Sequence, residues 1–379
     1  MDGTSPCKQG TRLLNANDPA SGSGNNLQMS GFRSRLVQPQ ALSAEERALW
    51  GAWSDALPAP ANAFLSLPYV TAVNRALGGV RVCVIDEQQR PVAFFPFQYR
   101  SRWHRVLGLA DRLGGELSDY FGLIAEPGFT ISSDRLLDLA GIRSLLFTHL
   151  DESQATFGLT GESPETGLRI ELPEGGAEFW QALRASDKKF VSDTERRERK
   201  LIEAAGPLKL TFHHDDPAEL TFLIDRKRQQ YARTGADDAL GRPEVKSLLA
   251  ELQQSHAPDC RGVLSTLYAG DQWVASHFGL MSHGTLHFWF PVYNPDMRTY
   301  SPGRMLVLSV IRQASELGVL CIDRGAGDTP AKRDFANASH SYSRGLWQRP
   351  GVTALAVRAS LAVQWRWKRI CEQRRGTVT

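Results

Sequence analysis

The chain has 379 residues, 42% hydrophobic and 22% charged, with a formal net charge of +3. That length allows two ordinary domains with ample buried core, and the composition is that of a soluble globular protein. The slight basic excess does not by itself point to nucleic acid, and no apolar run is long enough to span a membrane. Cys7, Cys83, Cys260, Cys321 and Cys371 form no C-x-x-C pair, and their odd count argues against a disulfide framework, so a reducing cytoplasm is the simplest fit.

Residues 1–32 are polar and rich in Gly, Ser and Asn, without a hydrophobic signal core, and are expected to form a disordered tail. From Ser43 the sequence predicts a helix with Leu49, Trp50 and Trp53 on one face, then a second over Phe64 to Leu77. Val80 to Val84 and Pro91 to Tyr99 flank a charged turn and read as a β-hairpin. Asp111 to Leu123 contains a Gly-Gly turn and the segment Ser118-Asp119-Tyr120-Phe121-Gly122. Arg135 to Leu146 mixes helix and strand signals, and Glu152 to Glu165 reads as loop.

A second block starts near Ile170. Helices are expected over Ala177 to Leu183, from a Ser186 cap through Ile202, over Pro217 to Tyr231 and over Pro243 to Ser255. Strands are expected at Leu208 to His213, Val263 to Tyr268 and Trp273 to Met281. The segments Ile85 to Ala93 and Leu267 to Ala275 align without gaps, each a polar hairpin turn followed by Val-Ala. Their recurrence in two blocks suggests tandem related domains, 33–165 and 166–350.

Leu286 to Asp323 reads as strand, turn, helix, strand. The helix begins at Tyr300-Ser301-Pro302-Gly303-Arg304, with Ser301 as side-chain cap and Pro302 at N1, and stops at Gly318. A helix start offers free amides and the positive end of a dipole to a pyrophosphate, although the same residues would also begin an ordinary crossover helix.

The order of these parts resembles the GNAT acyltransferase superfamily in the tandem form of Fem-type transferases, and more closely the CelD/BioF-like acetyltransferase group. The matching residues are Ser186-Asp187-Lys188-Lys189-Phe190 with Arg196 to Lys200, Gln230 to Gly235, Leu267 to Asp271, Tyr300 to Gly303, and Asp323 to Asp328 with Lys332. The resemblance implies a mixed α/β fold: two tandem domains, each a mostly antiparallel sheet flanked by helices. It implies acyl-CoA as co-substrate, with no bound cofactor and no metal, held where two central strands splay apart. Tyr300, Ser301, Pro302, Gly303, Arg304 and Lys332 would meet its phosphates. Pro302 supplies no amide, and Arg304 can serve as a side-chain donor instead.

Acyl transfer needs a base, an oxyanion donor and an acid for the leaving thiolate. His277 is the first candidate base, although a lone His in an apolar strand is more often a core residue. Asp323 ends a buried strand, Tyr293 can protonate the thiolate, and Asp119, Tyr120 and His287 are assigned to the acceptor side. Residues 351–379 carry Arg358, Arg366, Lys368, Arg369, Arg374 and Arg375 beside Trp365 and Trp367. This pattern suits a basic amphipathic helix on the inner face of an anionic membrane, or one docked on the protein itself.

Three functions follow. The first is an acyl-CoA-dependent transferase acting on a membrane-associated amine such as a sphingoid base, as in bacterial ceramide synthases of similar sequence. The second acetylates exopolysaccharide precursor sugars. The third is a non-catalytic binding protein that keeps the fold. None calls for nucleic acid.

Overall fold

A computed structural model describes residues 31–57 and 62–350. The basic helix expected over residues 351–379 and residues 1–30 of the tail expected over 1–32 lie outside the described residues.

The N-terminal half runs β1 (Arg33–Val37), α1 (Ala44–Asp55), α2 (Leu67–Leu77), β2 (Val80–Glu87), β3 (Arg90–Gln98), α3 (Arg102–Leu107), β4 (Leu109–Asp111), β5 (Ile124–Ala125), α4 (Ser133–Leu139) and β6 (Ser144–Asp151). After β7 (Ser163–Glu171) come α5 (Gly176–Ser186), α6 (Lys188–Ala205), β8 (Leu208–Thr211), α7 (Pro217–Thr234), α8 (Pro243–Gln253), β9 (Arg261–Ala269) and β10 (Gln272–Ser282). The chain then forms β11 (Thr285–Tyr293), α9 (Pro302–Arg312), α10 (Ala314–Leu317), β12 (Cys321–Ala326), α11 (Pro330–Arg333) and β13 (Ala338–Gln348).

Local chemistry accounts for most of these boundaries. Ser43 and Glu46 form a complete capping box at α1. Pro217 and Pro243 open α7 and α8 at the position where a missing N–H costs nothing. Asp187, not Ser186, caps α6 by accepting from the Phe190 amide, while the Ser186 hydroxyl turns back to the Leu183 carbonyl. The long crossover helix is interrupted at Gln313, and Gly318 in the left-handed conformation ends the second piece.

The strands form one mixed sheet in the order β1-β2-β3-β4-β6-β13-β7-β12-β11-β10-β9-β8, with β5 paired to β3. Read inward from either edge, the order is pseudo-symmetric. The β2–β3 hairpin on one side matches β9–β10 on the other, and the parallel pair β4–β6 matches β11–β12. Both hairpins that echo in sequence therefore occupy equivalent places. The inner strands are exchanged: β7 pairs with β12, and the last described strand, β13, pairs with β6 and β7. The position 165/166 falls inside β7.

Three apolar clusters cover the sheet. One joins α2 (Tyr69, Val70) to α8 (Leu248, Leu249) and to Phe278 and Phe290. A second fills the N-terminal half around Phe95, Phe97, Phe121, Phe147 and Trp347. The third packs α9 and α5 against the opposite face of the C-terminal strands, through Met305, Leu308, Phe179 and Phe288. Among the described residues no helix is long and apolar enough to cross a membrane.

Candidate active site

Strands β11 and β12 are parallel and paired only over Thr285↔Cys321, Leu286↔Ile322 and His287↔Asp323. Beyond that point they part. A bulge in β11, where the register with β10 shifts between Phe278↔Phe290 and Leu280↔His287, helps to make the opening. It reverses which side chains face which layer. Leu286 and Phe288 belong to the cluster under α9, whereas Phe290 and Val292 belong to the cluster under α2 and α8. From Phe288 onward the β11 edge facing β12 has no ladder partner among the described residues, which is the splay expected from the resemblance.

A polar cluster sits at the apex of this opening, assembled from both halves. The Tyr120 hydroxyl donates to Asp323 Oδ2 and lies 2.7 Å from His340 Nε2. His287 Nδ1 is 3.4 Å from the same carboxylate oxygen, and Arg169 Nε is 3.9 Å away. The Gly325 amide donates to Asp323 Oδ1 at 2.8 Å. The Ala63 amide donates to His287 Nε2 at 3.3 Å, so the ring proton resides on Nδ1 and points at Asp323. With the Tyr120 proton committed to Asp323, His340 donates from Nε2 to the tyrosine oxygen, leaving its buried Nδ1 without a partner. Gly167 is required beneath this ring, since a Cβ there would lie 2.2 Å from the imidazole.

The two aspartates are driven in opposite directions. Burial pushes Asp119 up to about 6, and the nearby Asp323 charge adds to the effect against Arg112, His287 and Lys332. Burial would also raise Asp323, but His287, His340 and Tyr120 outweigh it and hold the carboxyl well below its ordinary range. Asp323 is fully buried and fully bonded, a fixed anion. Asp119 is only half-buried, has no side-chain hydrogen bond among the described residues, and stands against Gly325. Such a divided pair is the usual arrangement of an acid–base site. The Lys332 ammonium donates to the Ala326 carbonyl and faces both carboxylates.

The remaining sequence candidates fall elsewhere. His277 is completely buried on the opposite face of the sheet, stacked 4.1 Å from Phe288. Both its ring nitrogens lack partners, and burial together with the Arg324 charge lowers it to about 3. It does not join the cluster. Tyr293 is at the far end of β11, paired with Ala275 and 38% exposed.

The α9 turn also differs from expectation. Ser301 takes a left-handed conformation at φ 55° and makes no side-chain cap. Its carbonyl accepts the Arg304 and Met305 amides, and Pro302 has none, which leaves Gly303 as the open donor of this turn. Arg304 is engaged with Asp334 at 3.0 Å and Asp193 at 3.2 Å, over the Phe190 ring. Tyr300 packs beside the cluster under α9.

His340 and Arg169 had no signal in sequence. His340 lies in a strand of alternating polar residues that is unremarkable until β13 inserts between β6 and β7.

The family model for the acetyltransferase (GNAT) domain matches residues 188–333, the span from α6 to α11 that contains the splay, the α9 turn, Asp323 and Lys332. No curated protein matches the chain. Among solved structures, FemX superposes with a TM-score of 0.53 at 9% identity, over 84% of this chain and 97% of that one. A conserved protein of unknown function from Bacteroides thetaiotaomicron gives 0.50 at 10% identity, over 81% and 98%. A tandem GNAT protein from the clavulanic acid biosynthesis pathway gives 0.45 at 11%, over 84% and 99%. For FemX and the Bacteroides thetaiotaomicron protein the likeness, at these identities, is one of fold. The mixed α/β architecture is shared with FemX, and within it residues 188–333 match the acetyltransferase (GNAT) domain.

Proposed function

We propose that this protein is an acyltransferase that moves an acyl group from a CoA thioester to an amine. The observation that supports this most directly is the parting of β11 and β12 immediately after His287 and Asp323, with Asp119 beside the gap. A thioester arm entering the gap can pair with the free β11 edge, which brings its carbonyl to the polar cluster.

In this reading Asp119 is the general base, because its value lies near neutrality and its oxygens are free. It takes a proton from the acceptor nitrogen as that nitrogen attacks the thioester carbonyl carbon. The oxyanion that forms is stabilised by the Lys332 ammonium. Collapse breaks the C–S bond, and the proton held by Asp119 passes to the leaving thiolate, so the transfer is neutral overall. Asp323 does not exchange protons; with Tyr120, His287 and His340 it fixes the local field and geometry.

The acceptor we favour is an amine carried by a membrane-associated lipid of the sphingoid class, the acceptor implied by the resemblance to bacterial ceramide synthases. Calorimetric titration with acetyl-CoA and palmitoyl-CoA tests the donor, and release of free CoA thiol with a sphingoid base or an amino sugar tests the acceptor. Failure of folded protein to bind either thioester would remove the transferase reading. Turnover with the sugar alone would replace the lipid acceptor.

A further inference from the structure

Few large apolar side chains are strongly exposed among the described residues, and three share one short helix. On α3, Trp103 is 76% exposed, Val106 73% and Leu107 51%. Single exposed apolar residues are normal, but a group within five positions calls for something to cover it. The segment is not frayed. Ser101 caps α3 by accepting from the His104 amide, its hydroxyl also contacts His104 Nδ1 at 2.7 Å, and Gly108 closes the far end in the left-handed conformation. None of the six helical residues is buried, so α3 presents its apolar residues outward.

The surroundings are basic. Arg100, Arg102 and Arg105 are all exposed, and no acidic residue occurs from Tyr99 to Ala110. Arg143 is exposed beside the helix end, where a Cβ on Gly108 would come within 3.1 Å of its side chain. Arg100 pairs with Asp111 at 2.6 Å, whereas Arg102, Arg105 and Arg143 have no ion pair among the described residues. The Arg349 amide donates to the Arg143 carbonyl at 2.9 Å, so the chain leaves the described residues next to this patch. The basic, Trp-containing sequence of residues 351–379 follows from that point.

We propose that α3 docks the protein on an anionic membrane. Trp103, Val106 and Leu107 enter the interfacial region while Arg102, Arg105 and Arg143 meet lipid phosphates. Trp suits headgroup depth, and arginines around an apolar tip match a bilayer that is anionic outside and apolar beneath. A protein partner fits less well. A six-residue tip is far too small to bury the roughly 1,000 Å² of a specific interface, and the centre of such an interface is depleted in charge. The proposal does not depend on the acyl-transfer reading, though a membrane-bound acceptor would then be presented to the same molecule.

The test is co-sedimentation of the full chain with vesicles of phosphatidylcholine alone or mixed with phosphatidylglycerol. Binding is expected only to the mixed vesicles and should weaken as salt rises. Arg102→Gln with Arg105→Gln should lower partition by on the order of thirtyfold, about fivefold for each positive charge lost near the surface. Trp103→Ser with Val106→Ser should lower it by roughly tenfold or more. Both double variants change exposed residues only, and unchanged circular dichroism and Tm establish that they fold. A chain ended at Pro350 should keep measurable binding. Wild-type partition by both double variants, loss of all binding on ending the chain at Pro350, or no binding of the intact protein would each overturn the proposal. CoA titration of the same samples reports separately on the transferase reading.

Discussion

His287 and Asp323 face each other at the last paired position of β11 and β12, with Nδ1 3.4 Å from Oδ2. The strands are held together up to this contact and part after it. The pair therefore marks where the cleft opens and places a fixed negative charge inside it. Asp119 can be raised to about 6 partly because Asp323 stays ionised beside it.

Asp119→Asn should lower kcat/KM by roughly a hundredfold or more, leaving thioester affinity within about threefold. In the wild type, kcat/KM should climb with pH through about 6, the value of the free base. The climb should be absent from the residual rate of the variant. A full-rate Asn variant measured by thiol release would exclude Asp119 as the base.

The same substitution should stabilise the protein. Asp119 holds its proton more tightly when folded than its ordinary value of 3.8, so its contribution is present below about 4 and is lost as pH rises through about 6. Asn carries no such charge. At pH 7.5, denaturant unfolding should show Asp119→Asn more stable than wild type by on the order of 1–3 kcal/mol, with the gap closing near pH 4. A variant less stable at pH 7.5 would contradict the account of a partly desolvated carboxylate held beside the Asp323 charge.

Asp323 behaves in the opposite sense. Its folded value lies below the ordinary one, so its stabilisation is present at neutral pH and fades as pH falls below about 4 toward the folded value. Asp323→Ala leaves Arg169, Tyr120 and the His287 Nδ1 proton facing no acceptor and should cost on the order of 3–5 kcal/mol. Asp323→Asn retains one acceptor oxygen, enough for the Tyr120 hydroxyl or the Gly325 amide but not both, and should cost less than Ala. Equal costs in urea titrations would mean that hydrogen bonding at this position contributes little.

His277→Leu removes a buried ring whose two nitrogens have no partner. Turnover should stay within about threefold, and stability should hold or rise by about 1 kcal/mol. A hundredfold loss of turnover in a well-folded variant would restore His277 as the base. Arg304→Ala should act through stability, since its guanidinium joins α9 to Asp193 and Asp334. A large loss of CoA affinity without a fall in Tm would instead assign Arg304 to phosphate binding.

The sequence by itself determined what depends on neighbours along the chain. The Ser43–Glu46 capping box, the prolines that open α7 and α8, the glycine stops after α6 and α10, and the two equivalent hairpins are set by contacts over a few residues. The order of motifs, with Asp323 and Lys332 among them, was legible through resemblance to a fold, whereas His287 was only one histidine among several in apolar strands. Even locally, the backbone could overrule side-chain preference. Ser301 has a capping side chain, but a left-handed conformation turns its carbonyl, not its hydroxyl, toward the helix. Tertiary structure alone decided which candidates meet. His340 lies 220 positions from Tyr120 and touches it because β13 inserts beside β7. His277 and His287 look alike in sequence, yet the β11 bulge and strand alternation send them to opposite faces. The unequal values of Asp119 and Asp323 arise from desolvation and from charges brought in by distant segments, and neither is encoded in the residues beside them.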